Sequence, residues 1–236
     1  MGKRTIINFR LHKKKIPIIL HFLTYSGLKI EDFVKSHGRP YSMMLGIDLS
    51  SSRGEELVKW FLASILYSKP IREGSATSTY RSFEDNDVLT ADRIVEAGWD
   101  ELVRILDEGG YVRYDFSTAT KLLEVFGRLK RDYGSDLWNL YNASKDGRDI
   151  ERRMKDLGKG IGDTTVSIFL REMRRVWPRA DPEPTPLVKM AMKRLGIEDL
   201  KVFSEERGLD LIELETALLR LGKDYLKRGK DIEIEL

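Results

Sequence analysis

The chain of 236 residues has no cysteine. That excludes disulfides, Cys-ligated zinc and a cysteine-held iron–sulfur cluster. Histidine is scarce as well: His12, His21 and His37 are the three, and none has metal-site spacing. No metal and no other cofactor is therefore expected. Long apolar runs are missing too, since no segment reaches the roughly 18 apolar residues that cross a bilayer. The stretch Ile16 to Leu20 follows basic residues like the start of a signal peptide, but it is short and no small-residue cleavage site follows. No membrane partner is expected, and the chain reads as intracellular and cytoplasmic. Strand signals are also weak. Only Thr5 to Phe9 and the alternating Asp231 to Leu236 carry one.

Charge and hydrocarbon are plentiful. With 33% charged and 41% hydrophobic residues the chain is globular rather than disordered. Its richness in Lys, Arg, Glu and Ile without Cys fits a thermophile. The net charge of +3 is unevenly spread. Residues 1–44 and 144–194 are strongly basic, which leaves the remainder acidic. Two basic regions on one chain suit a polyanion, although solvated surface charge gives the same count.

Helical periodicity dominates after residue 50. Ser52-Arg53-Gly54-Glu55 reads as a capping box, opening a helix with Leu57, Phe61 and Ile65 on one face. A Ser/Thr-rich stretch, Gly74 to Ser82, follows. Trp99, Val103 and Leu106 mark a helix closed by Gly109-Gly110. Ser117 can cap another that carries Leu122, Leu123, Phe126 and Leu129 and ends at Gly134. Ile150, Met154 and Leu157 mark a helix stopping at Gly158, and Val166, Phe169, Leu170 and Met173 one starting near Asp163. After a proline-rich segment that no helix can traverse, helices resume at Pro186 and again around Ile212 to Tyr225.

The break Gly158-Lys159-Gly160-Ile161-Gly162 between two short helices is the most informative stretch. Glycines let a backbone approach a ligand closely. The first N–H groups of the second helix lie unpaired at the positive end of its dipole. Such a turn is suited to phosphate, and Lys159 and Lys155 add charge toward it. An ordinary helix–turn–helix that happens to use glycine fits the same residues.

The segment from Leu157 to Leu170 resembles the helix-hairpin-helix of the endonuclease III-like DNA glycosylase superfamily. Trp177-Pro178-Arg179-Ala180-Asp181 resembles that family's connection to its catalytic aspartate, and Phe61 to Lys69 its early barrel helix. Gly110-Tyr111-Val112-Arg113-Tyr114 sits where the family has a glycine–aromatic turn before a helix. The likeness spans about Leu57 to Gly196.

The resemblance implies an all-α, two-lobed helical fold with a central DNA-binding cleft. It divides the chain into a basic segment (1–53) packing with the C-terminal lobe, a helical barrel (54–150), and the hairpin with the C-terminal helices (151–236). The implied activity is DNA N-glycosylase in base excision repair, acting as a nucleoid-associated monomer on double-stranded DNA. The alternative is a non-catalytic helix-hairpin-helix DNA-binding protein. Asp181 would stabilise the oxocarbenium-like sugar or position the attacking water. Read from the chain alone, Asp181 is equally a helix N-cap before a proline, with Glu183 a fallback acid. Lys159, Gly160, Ile161, Gly162, Thr164 and Thr165 would hold the DNA backbone, and Lys69 would fill the space left by a flipped base. Tyr67, Tyr80 and Tyr114 are candidates to stack on that base. Strand-cleaving relatives carry a Schiff-base lysine where this chain has Thr164, so a monofunctional enzyme is expected. Gly158 replaces a large apolar residue of the family, which is expected to loosen the hairpin. Residues 205–228 are expected to take the place of the family's cluster by packing against the N-terminal region.

Overall fold

A computed structural model describes residues 27–230 and 232–236. The candidate strand Thr5 to Phe9, His12, His21 and most of the basic N-terminal arm lie outside the described residues. The described chain is predominantly helical. Its one strand pairing among the described residues is short and parallel, β1 (Leu28–Lys29) with β2 (Ile234–Glu235). The helices are α1 (Ile30–His37), α2 (Tyr41–Leu45), α3 (Gly54–Tyr67), α4 (Glu73–Asp85), α5 (Ala91–Glu108) and α6 (Asp115–Tyr133). There follow α7 (Leu137–Ala143), α8 (Gly147–Lys155), α9 (Asp163–Met173), α10 (Pro186–Leu195), α11 (Leu200–Arg207) and α12 (Leu211–Arg220). A π turn, Leu221–Tyr225, and a 3-10 turn, Leu226–Arg228, extend α12.

Most of these elements follow from local chemistry. Leu57, Phe61 and Ile65 of α3 are fully buried, as their spacing requires. Gly134 and Gly196 end α6 and α10 in the left-handed conformation, with φ of 61° and 72°, which glycine adopts without steric cost. Pro186 occupies the first turn of α10 behind Thr185, so Asp181 is not the cap of that helix.

Two local expectations fail for identifiable reasons. Asp48 accepts hydrogen bonds from the N–H groups of Ser50 and Ser51 and closes a short 3-10 turn there. Ser52 is then left-handed, at φ 54°, and cannot form the capping box of α3. Ser117 lies inside α6 and donates its hydroxyl back to the Tyr114 carbonyl. The Ser/Thr-rich stretch is helical. In α4 the hydroxyls of Thr77, Thr79 and Ser82 donate to the carbonyls of Glu73, Ser75 and Ser78, so they are satisfied within the helix instead of diverting its backbone into a turn.

Buried apolar side chains form two clusters. The larger runs from Tyr41 to Ala180 and includes the hairpin residues Ile150, Met154, Leu157, Ile161, Val166 and Phe169. The smaller joins Ile30, Phe33 and Val34 of α1 to Val188, Ala191, Leu214, Leu218 and Leu221. The larger cluster ends at Ala180, and the smaller draws on α1 and on residues after it. Of the hairpin helices, α9 packs against α3 and α8 against α7, and the turn between them touches α6; α1 packs against α12. Arg174, just past the end of α9, pairs with Glu215 of α12 across the junction.

Candidate nucleic-acid interface and cavity

The glycine elbow between α8 and α9 is at the surface. Lys159, Gly160, Gly162, Asp163 and Thr164 are exposed, while Ile161 is buried and anchors the turn. Gly160 has φ 91°, and Gly162 precedes α9 in extended conformation with no side-chain cap on the helix among the described residues. The first N–H groups of α9 thus form an uncapped positive end beside an open turn. Thr165 is buried, so its hydroxyl does not face solvent beside that of Thr164.

Gly158 tightens the hairpin instead of loosening it. A Cβ there would lie 2.7 Å from Val125 Cγ2 of α6, so glycine is what allows the turn to press against that helix. Two α6 side chains reach the elbow: Lys121 Nζ donates to the Gly160 carbonyl at 3.0 Å, and Glu124 accepts from the Lys159 N–H at 3.0 Å. Burial and the neighbouring Lys69 ammonium pull the Lys121 amine down to about 8. Asp163 is paired with Lys155 at 2.5 Å, which neutralises the acid at the elbow.

Beside the elbow is a cavity of about 610 Å³, within the range of small-molecule sites. Lys69 and Thr164, singled out separately in the sequence, both line it, with Tyr41, Tyr67, Ile168 and Leu187. The Tyr41 and Tyr67 rings are 4.9 Å apart. Burial pushes the Tyr41 hydroxyl up and the Tyr67 hydroxyl up to about 12, so both stay protonated. Lys69 Nζ lies 5.5 Å from the centre of the Tyr114 ring, which is half-buried. Tyr80 is buried in the large cluster and is a core residue.

Charge enters the cavity from both clusters. Glu73 of α4 accepts from Tyr41 Oη at 2.9 Å and Lys223 Nζ at 2.9 Å, and lies 3.5 Å from Arg220. Burial pushes the Glu73 carboxyl up, but Lys223, Arg220 and the Tyr41 hydroxyl outweigh it and hold the group below the ordinary carboxylate value. Arg171 of α9 also lines the cavity and is fully buried. None of its three guanidinium nitrogens has a hydrogen-bond partner among the described residues. Its nearest carboxylate, Glu172, is 3.6 Å away and accepts from the N–H groups of Tyr41 and Ser42.

Asp181 does not share this space. It is half-exposed, accepts from Lys201 Nζ at 2.6 Å, and lines a different cavity with Arg174, Glu183, Lys189 and Lys193. Sequence reasoning missed Glu73, Arg171 and Lys121. Glu73 immediately precedes the Ser/Thr-rich stretch, to which the sequence assigns no element, and Arg171 continues the helical pattern of α9. A signal was present in Arg171: a basic residue on the apolar face of a helix needs a reason. No group of three metal-ligating side chains occurs among the described residues, and none of their helices is long and apolar enough to cross a membrane.

Comparison with protein-family models, curated proteins and solved structures finds no match in any of the three.

Proposed function

We propose that this protein is a monofunctional DNA glycosylase of base excision repair, which binds duplex DNA through the Gly160–Gly162 elbow and admits an extruded base to the adjoining cavity. The observation that carries the reading is the juxtaposition of an uncapped, glycine-rich helix start with a cavity that Thr164 and Lys69 both line. Main-chain N–H groups at the elbow hold a phosphate without reading sequence. Lys121, Lys69 and Lys159 surround it with positive charge. The Tyr41–Tyr67 pair offers the cavity an aromatic wall. The two apolar clusters are the two lobes, and the DNA lies along the cleft between them.

Bond cleavage needs a carboxylate near the sugar. Asp181 is the acid that the family resemblance nominates, and acting there requires it to leave Lys201. Glu73 is the carboxylate already within the cavity. Duplexes bearing single damaged or mispaired bases, incubated with the protein and then treated with alkali, test both. Strand breaks after alkali are expected from the wild-type protein, with Asp181→Asn slower by on the order of a hundredfold. Equal breakage by Asp181→Asn removes that residue from the mechanism, and a loss confined to Glu73→Gln transfers the role. Thr164 cannot form an imine, so breaks without alkali are not expected.

The pairing of Asp181 with Lys201 outside the cavity favours a second reading, a non-catalytic helix-hairpin-helix protein that binds bent or damaged DNA. It predicts salt-sensitive duplex binding with no base released from any lesion.

A further inference from the structure

Arg171 is an anomaly inside the cavity. A fully buried guanidinium normally forms several hydrogen bonds, because leaving such a group unsatisfied costs more than a typical hydrogen bond contributes. Here three nitrogens are without a partner among the described residues. The contacts it does make are weaker: Glu172 at 3.6 Å and the Tyr41 ring, whose centre lies 5.7 Å from the guanidinium carbon. Glu172 cannot close further without releasing the two N–H groups at the start of α2 that it holds at 2.9 Å. Of the other polar groups that line the cavity, Glu73 already accepts from Tyr41 and Lys223, while the buried Thr185 hydroxyl is also without a partner among the described residues and can donate or accept. Three guanidinium nitrogens that can only donate, against one hydroxyl, make the unmet demand of the site chiefly one for acceptors.

We infer that the cavity selects an extruded base presenting a keto oxygen, with Arg171 reading that oxygen. This deepens the glycosylase reading and rests on it. A purine with O6 beside N7 offers two adjacent acceptors in the spacing a guanidinium matches. Adenine turns an amino group toward the same nitrogens and leaves N–H facing N–H. A site built around a buried polar group rejects the ligand that leaves it unpaired much more strongly than it rejects a change of shape. The aromatic pair and the apolar side chains Ile71, Ile168 and Leu187 accept the faces of either ring alike, so they do not discriminate. Discrimination falls to Arg171.

Hypoxanthine and adenine form a minimal pair, because they differ in the oxygen or amino group at one ring position and in the proton next to it. Each is placed in the same duplex opposite an abasic gap, so that extrusion breaks no pairing. The target sugar carries a 2′-fluorine, which resists base loss by destabilising the oxocarbenium ion. Dissociation constants are measured by fluorescence anisotropy with the full chain, and a duplex holding an abasic analogue reports DNA binding with no base to read. The hypoxanthine duplex is expected to bind on the order of ten- to a hundredfold more tightly than the adenine duplex. Arg171→Met is expected to bring that ratio close to one. The ratio is internal to each protein, so a partly unstable variant still reports it. Should Arg171→Met fail to fold, equal affinity of the wild-type protein for the two bases overturns the inference by itself. A ratio that survives in Arg171→Met also overturns it. In both cases, binding of the abasic duplex leaves the DNA reading standing. If no duplex is bound even at low salt, the DNA reading falls and the inference falls with it.

Discussion

Lys121 shows how one side chain ties the elbow to its chemistry. Its amine touches the Gly160 carbonyl, and burial together with Lys69 brings it to about 8. Below that pH it is an ammonium beside the phosphate position; above it the charge is gone. Duplex affinity is therefore expected to fall as pH rises from about 7 to about 9, and Lys121→Met is expected to flatten the profile, as titrations across that range will show. The sign for folding is opposite. The pKa lies below the unfolded value of 10.5, so this group's stabilising contribution is fully present only above that value and is lost as pH falls through about 8. None of this was legible in the chain, where Lys121 is one of many cations. It becomes visible only when α6 is laid across the hairpin.

At the scale of elements, close approach governs what glycine does. A Cβ on Gly222 would sit 2.2 Å from the Leu187 carbonyl oxygen, so the π turn and α10 meet backbone to backbone. Gly222→Ala is expected to cost about 1–3 kcal/mol, a fall in Tm of several degrees by differential scanning calorimetry. Gly127, mid-helix in α6, has nothing within 4 Å of its Cβ position among the described residues. Gly127→Ala is expected to add about 0.5–1 kcal/mol by helix propensity. The chain announced α9 and α10 well, because apolar spacing and end signals agree there, and the body of α3 by its apolar spacing alone. It hid α4, where hydroxyl-rich residues look like a loop until their bonds to the preceding turn are seen. It also misplaced the starts of α3 and α6, because Asp48 and the Tyr111–Tyr114 turn decide those boundaries.

For the whole molecule, the hairpin was legible as a local pattern and the cavity was not. Thr164 and Lys69 were marked separately, far apart in the chain, and only the packing of α3 against α9 brings them to one space. Asp181 was marked by its neighbours, yet the proline-rich segment that follows carries it to a different face. The apolar clusters divide after Ala180, a boundary that no composition shift announces. If both clusters contribute cations to one DNA surface, duplex affinity is expected to fall by on the order of a thousandfold between about 50 and 200 mM salt. A flat response in a filter-binding titration would remove polyanion binding altogether.

The walls of the cavity meet across Glu73, Lys223 and Arg220. A join made of formal charges responds to heat differently from one made of hydrocarbon. The cost of stripping water from ions falls as temperature rises, while the gain from burying each apolar area levels off. Warming is therefore expected to weaken this closure less than the two cores it connects.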